Sequence, residues 1–173
     1  MKSIAFSGLI VRPFQPGDAD AIMEITKAAW DGVTMAELRE KQLGLVEGKP
    51  WREHKAGSVL AQCQRRPDWA LVGLVNGEII GYATMSLSPG GEIGTVGNNA
   101  VHPRWQGRGI GTALIGEVVR RLEAAGVRLL EVATLKEDAA AQRVYEKLGF
   151  QEVTRTLHYS RRPLAGESGV TPV

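Results

Sequence analysis

The sequence predicts an α/β fold of the α+β type. It consists of one mixed, mostly antiparallel sheet of about six to seven strands, flanked by about four to five helices. Three observations carry this reading. Residues 69–101 hold three β-rich runs separated by two short turns, "NG" at 76–77 and "PGG" at 89–91. On either side of this block the apolar spacing is helical. The order is strand, helices, three strands, helix, strand, helix, strand, which lacks the strict alternation of a doubly wound sheet.

Residues 9–13, "LIVRP", are short and β-rich, and "PGDAD" then makes a turn with Asp18 as the expected helix N-cap. Ile22, Ile25 and Ala29 recur at helical spacing. Thr34 with Glu37 three residues on reads as a capping box that opens a helix over 34–43. Residues 51–66 read as a further helix with a weak pattern. "WALVGLV" (69–75), "EIIGYATMSL" (78–87) and "EIGTVGNNAV" (92–101) form a meander, with Asn76-Gly77 as a two-residue hairpin turn. Ile110, Leu114, Val118 and Leu122 form one stripe on a helix over 110–125, and Gly126 stops it. "VRLLEVAT" (127–134) reads as a buried strand. A short helix over 139–148 starts at Asp138 and ends at Gly149. "FQEVTRTLHYS" (150–160) is expected to close the sheet as one or two strands, with a loose tail from Pro163.

The chain has 173 residues, the size of one domain, and 43% of them are hydrophobic, enough for a sizeable core. The formal net charge of +2 argues against a nucleic-acid surface, which needs a dense basic face. The single cysteine, Cys63, excludes an internal disulfide and a cysteine-only metal cluster. Cys63 reads as a small buried residue. His54, His102 and His158 lack metal-ligand spacing, so no metal is expected. No apolar run approaches the roughly 18 residues of a membrane span. "MKSIAFSGLIVRP" reads as a first strand rather than a signal peptide, so a cytoplasmic location is expected.

The most informative stretch is "VHPRWQGRGIGTAL", 101–114. It sets Gly107, Gly109 and Gly111 beside Arg104 and Arg108 at a strand-to-helix junction. A helix N-terminus offers free N–H groups and the positive end of the helix dipole. Glycines let a backbone approach an anion closely and adopt positive φ. The stretch therefore reads as a phosphate site. It is not a P-loop, because no lysine follows the glycines. It is not a G-x-G-x-x-G fingerprint either, because the last glycine would fall on Thr112 or Leu114.

The pattern present is Q-x-x-G-x-G, on Gln106, Gly109 and Gly111. It resembles the acetyl-coenzyme A loop of the GNAT superfamily of N-acetyltransferases. "AAAQRVYEKLGF" (139–150) is similar to the second hallmark of that superfamily, on Ala141, Tyr145, Lys147, Gly149 and Phe150. The resemblance covers about 9–160 and implies a GNAT-like fold, with a single acetyltransferase domain over 1–162. It also implies transfer of an acetyl group from acetyl-coenzyme A to a primary amine. The expected partner is a small-molecule or peptide amine, with no nucleic acid and no membrane; a homodimer is compatible.

The resemblance also assigns residues. Main-chain N–H groups of Gly107, Arg108, Gly109, Ile110, Gly111 and Thr112, with Gln106, would hold the diphosphate. Asn99, Ala100 and Val101 would pair with the pantetheine arm. Tyr145 would donate a proton or hydrogen bond to the departing thiolate. Asp138 stands where the family commonly has asparagine, as a further cofactor contact. The general base is open. The position where some members carry a glutamate is Thr95, and the nearest acid is Glu92, acting through water if at all. Asn98 and Asn99 should point to opposite faces of their strand. Trp30 and Asp31 could border the acceptor pocket and hold a cationic amine. A non-catalytic acyl-coenzyme A sensor is the alternative on the same fold.

Overall fold

The computed structural model describes residues 8–163. Elements run in chain order as β1 (Ile10–Pro13), α1 (Ala19–Ala29), α2 (Met35–Leu43), α3 (Trp51–Arg65), β2 (Ala70–Val75) and β3 (Glu78–Leu87), then β4 (Ile93–Val101), α4 (Ile110–Ala124), β5 (Leu129–Val132) and α5 (Ala139–Lys147). Among the described residues they build one five-stranded sheet in the order β1-β2-β3-β4-β5. The first three pairings are antiparallel and β4–β5 is parallel.

Local chemistry explains most boundaries. Asn76 and Gly77 take φ of 50° and 81°, the positive-φ pair of a tight hairpin turn joining β2 to β3. Thr34 accepts from Ala36 N–H, as expected of an N-cap, whereas the Glu37 carboxylate reaches back to Gly32 N–H rather than to Thr34. Asp138 accepts from Ala141 N–H at 2.9 Å and starts α5. Asp18 does not cap α1. Its carboxylate instead forms a two-pronged pair with Arg12 (2.7 and 2.8 Å), and this partner, with Gln15 N–H, holds it below the usual carboxylate range.

The sheet is covered on both faces. The stripe Ile110, Leu114, Ile115, Val118 and Leu122 of α4 packs with Leu71, Ile80, Met85, Val96 and Tyr145. On the other face Ile22 and Ile25 of α1 and Val59 and Cys63 of α3 pack on Ala70, Val72 and Tyr82. Each such aliphatic side chain, fully buried, contributes roughly 1.5–3 kcal/mol. Cys63 is buried there, and burial pushes its thiol up to about 11, which makes it a core residue and not a nucleophile.

Two expectations fail besides the Asp18 cap. The strand over 127–134 is not buried: β5 is an edge strand of alternating exposure, with Leu129 50% exposed. The sheet has five strands, not six or seven, because residues 150–160 join no ladder. Their alternation supplies strand propensity, but a strand also needs a partner edge. The segment runs exposed past α5, with Val153, Leu157 and Tyr159 at 94%, 80% and 88% exposure. The Arg162 guanidinium then donates to the carbonyls of Leu43 and Leu45. The expected loose tail lies almost wholly outside the described residues. No helix among the described residues is long and apolar enough to cross a membrane.

Candidate active site

The site is built around a splay in the sheet. β5 pairs with β4 only from Ile93↔Leu129 to Val96↔Val132. β4 continues to Val101 with nothing on that side. At the point of divergence β4 bulges: Ala83 pairs with Asn99 and Met85 with Val96, so Thr84 faces both Gly97 and Asn98. Thr84 Oγ1 donates to Asn98 O at 3.1 Å and pins the bulge. His102 N–H bonds Ile80 O across to β3. By strand alternation the main-chain groups of Val101 and Asn99 point to the free edge, and those of Ala100 turn back to β3. Of the three expected pantetheine positions, Asn99 thus faces the open edge, the Val101 carbonyl there already accepts from Gln106 Nε2, and Ala100 turns away.

The space at Gly97 is closed. An alanine Cβ there would lie 2.5 Å from Thr84 Oγ1 and 3.3 Å from Thr84 O. We expect Gly97→Ala to lose about 1–3 kcal/mol of stability through overpacking and to lower turnover by re-aiming the two asparagines that follow. Urea unfolding and a thiol-release assay check both, and unchanged values in both would remove the bulge from the site.

Asn98 and Asn99 do point to opposite faces. Asn99 Nδ2 donates to Gly97 O (3.1 Å) and to the Tyr145 hydroxyl oxygen (3.3 Å). The Tyr145 ring sits in the core against Phe150, centroids 6.1 Å apart, with the residue only 8% exposed. Tyr145 is therefore a core aromatic by its ring and a site residue by its hydroxyl. Burial, the largest influence, raises its pKa above the ordinary 10 despite the Asn99 hydrogen bond. On the opposite face, Asn98 Oδ1 accepts from Lys55 Nζ (2.7 Å) and Asn98 Nδ2 donates to Gln62 Oε1 (2.7 Å). Lys55 also lies 3.7 Å from the centroid of the Trp30 ring. Sequence reasoning missed Lys55 and Gln62. It favoured core packing of Trp30 and raised a Trp30–Asp31 cation site as the alternative. The Trp30 face is already taken by Lys55, and Asp31 is paired with Arg52.

Beyond β4 the chain makes the glycine turn. Gln106 Nε2 donates to Val101 O at 3.0 Å and fastens the turn to the strand end. Gly107 and Gly109 take φ of 76° and 80°, which an L side chain resists. Gly111 is helical, and a Cβ there would make only an ordinary 3.7 Å contact with Val101 Cγ2, so neither φ nor crowding within the chain requires glycine there. The first helical bond of α4 runs from Ala113 N to Gly109 O. The main-chain N–H groups of residues 109–112 come before that bond and have no partner inside the helix, whereas residues 106 and 107 lie in a hydrogen-bonded turn. Four consecutive donors without an intrahelical partner at a helix N-terminus make an anion cradle. Arg108 rests with Cζ 4.9 Å over the Trp105 ring and its Nη2 3.3 Å from Arg104 O, at the rim of this cradle.

The other two acids stand apart from these groups. The Asp138 side chain is committed to capping α5. Glu92 precedes β4, is exposed, and lies 3.6 Å from Arg128. Six residues of extended strand separate it from Asn98, roughly 20 Å at about 3.3 Å each. The structure does not bring it to Tyr145. We expect Glu92→Gln to leave the pH–rate profile overlapping that of the wild type; a loss of turnover at neutral pH, relieved at higher pH, would reinstate it.

A mixed sheet splayed beside β4, a buried tyrosine at the splay and an anion cradle on the next helix are the features that the acetyltransferase resemblance of the sequence led one to expect. The sequence comparisons give the family. Residues 20–150 match the model of the acetyltransferase (GNAT) family, and the chain belongs to that family. A mycothiol acetyltransferase of Cellulomonas flavigena is 29% identical over 174 residues, covering 96% of this chain and 47% of the relative. The chain thus spans about half the length of that protein. An aminoglycoside N(6')-acetyltransferase of Stenotrophomonas maltophilia is 26% identical and covers 89% of this chain and 93% of its own. Among solved structures, a Salmonella typhimurium acetyltransferase with its cofactor acetyl-CoA superposes with a TM-score of 0.64 at 22% identity, covering 86% of this chain and 82% of that one.

Proposed function

We propose that the chain, as one domain over 1–162, transfers an acetyl group from acetyl-coenzyme A to a primary amine by direct attack on the thioester. The observation that carries this is the row of N–H groups at 109–112 that opens α4, set directly beyond the free edge of β4. Phosphate oxygens suit the first and amide groups of an extended arm suit the second. Acetyl-coenzyme A supplies both, together with an activated acyl carbon.

The residues divide the work. Gly107 to Thr112 hold the diphosphate through main-chain donors, and Arg108 can swing from Trp105 to add a charge-assisted contact. Asn99 and Val101 align the pantetheine arm. A main-chain N–H at the bulge faces the carbonyl oxygen as charge gathers there. The amine nitrogen bonds to the acyl carbon, the carbon–sulfur bond breaks with its electron pair on sulfur, and Tyr145 donates its hydroxyl hydrogen toward that sulfur. The amine's proton leaves to water. The relatives named above are a mycothiol and an aminoglycoside acetyltransferase by name, and the acceptor of this chain is a separate matter.

Thiol release from acetyl-coenzyme A with a panel of amines tests the reading. Amine-dependent release supports it. Tight cofactor binding with no release by any amine would favour the acyl-coenzyme A sensor.

A further inference from the structure

Lys55 carries a charge that nothing in the fold neutralises. Its ammonium touches the Asn98 amide oxygen and the Trp30 ring, and the next groups in the network are Gln62, Tyr82 and Thr26. All of these are neutral. The neighbouring carboxylates are used elsewhere: Glu53 pairs with Lys27 at 2.7 Å and Asp31 pairs with Arg52. Lys55 has no ion pair among the described residues. An ammonium withdrawn from water without an anion is unfavourable, and burial accordingly pushes Lys55 down to about 8 from 10.5. At pH 7 it is still mostly protonated.

Its position gives the charge a use. Lys55 reaches the β4 bulge through Asn98, on the face opposite the one where Asn99 meets Tyr145. The departing thiol is handled on the Tyr145 face, so the acceptor amine arrives on the Lys55 face. A fixed cation there repels a second cation and attracts an anion.

We infer that Lys55 is a subsite for a carboxylate of the acceptor, so that the amine acetylated is one that also bears an acid group, such as an amino acid, and not a polycation. The inference rests on the acetyl-transfer reading above and narrows its substrate class. It also carries a proton linkage. A bound carboxylate raises the Lys55 pKa, so carboxylate binding weakens as the pH rises past about 8, where the free lysine loses its proton. The charged groups packed around it, Lys27 of α1, Asp31 just beyond α1, and Arg52 and Glu53 of α3, are already paired with one another.

The experiment uses thiol release with matched acceptors: several amino acids, their carboxamides, and spermidine. Wild type, Lys55→Met and Lys55→Arg are compared, with thermal unfolding to verify the fold of each. Expected is a preference of tenfold or more in kcat/KM for the carboxylate over its amide, residing in KM and fading above pH 8. Lys55→Met collapses that ratio toward one, and Lys55→Arg restores part of it. Equal use of acid and amide by the wild type, preference for spermidine, or a parallel loss on both acceptors in Lys55→Met overturns the inference and leaves acetyl transfer standing. Failure of every amine to release thiol overturns both.

Discussion

Gly109→Glu should lower coenzyme A affinity by well over tenfold, more than about 1.4 kcal/mol. Two effects combine at this position. Gly109 is the N-cap of α4 at φ 80°, where a side chain costs about 1–2 kcal/mol of backbone strain. It also opens the row of N–H groups without intrahelical partners, so the new carboxylate would occupy the cradle and repel the diphosphate. Gly109→Ala separates the two, because it introduces strain without charge. We expect the alanine variant to lose stability and a little affinity, and the glutamate variant to lose far more affinity. The electrostatic part should shrink between 0.1 M and 1 M salt, as the screening length falls from about 10 Å to about 3 Å. Calorimetric titration of the three proteins at both salt concentrations measures each part. A glutamate variant with wild-type affinity would place the phosphates elsewhere.

Local rules carried the sequence reading a long way. The Asn76-Gly77 turn, the α4 stripe, the Thr34 and Asp138 caps and the glycine junction each depend on residues within a few positions of one another, and each stands in the structure. The failures are long-range. Residues 150–160 have a strand's alternation, but no periodicity tells whether a sheet edge stands beside them. Asp18 has the type and place of an N-cap, yet Arg12 from β1 captures its carboxylate. Lys55 gave no signal because its partners, Trp30 and Asn98, come from α1 and β4, and the helix that carries it buries only a few apolar residues. Even the separation of Asn98 from Asn99 was readable as opposite faces, while the groups they meet were not. The bulge at Gly97 and Asn98 also escaped, since a lone glycine in a strand marks many things besides a bulge.

Tyr145→Phe tests the other half of the chemistry, and the structure sets its size. Asn99 Nδ2 donates to the tyrosine oxygen, which leaves the hydroxyl hydrogen free to be donated in turn. Complete transfer of that proton to the leaving thiolate is uphill. A thiol has a pKa of about 8.5, and Tyr145 is held above 10 by burial. Tyr145 therefore acts mainly by hydrogen bonding to the sulfur as charge builds on it. Such a bond to a charged group contributes about 1.5–3 kcal/mol, so turnover should fall roughly 10- to 100-fold, with coenzyme A affinity little changed. The raised pKa adds a second signature with a definite sign. The donor is protonated throughout the neutral range and is lost only as the pH climbs past 10. The wild-type rate should thus decline on that alkaline side, and the phenylalanine variant should lack this decline. Single-turnover rates from pH 6 to 11, measured where chemistry limits, decide the matter. A variant with the wild-type rate and the wild-type alkaline limb would make Tyr145 a core aromatic and nothing more.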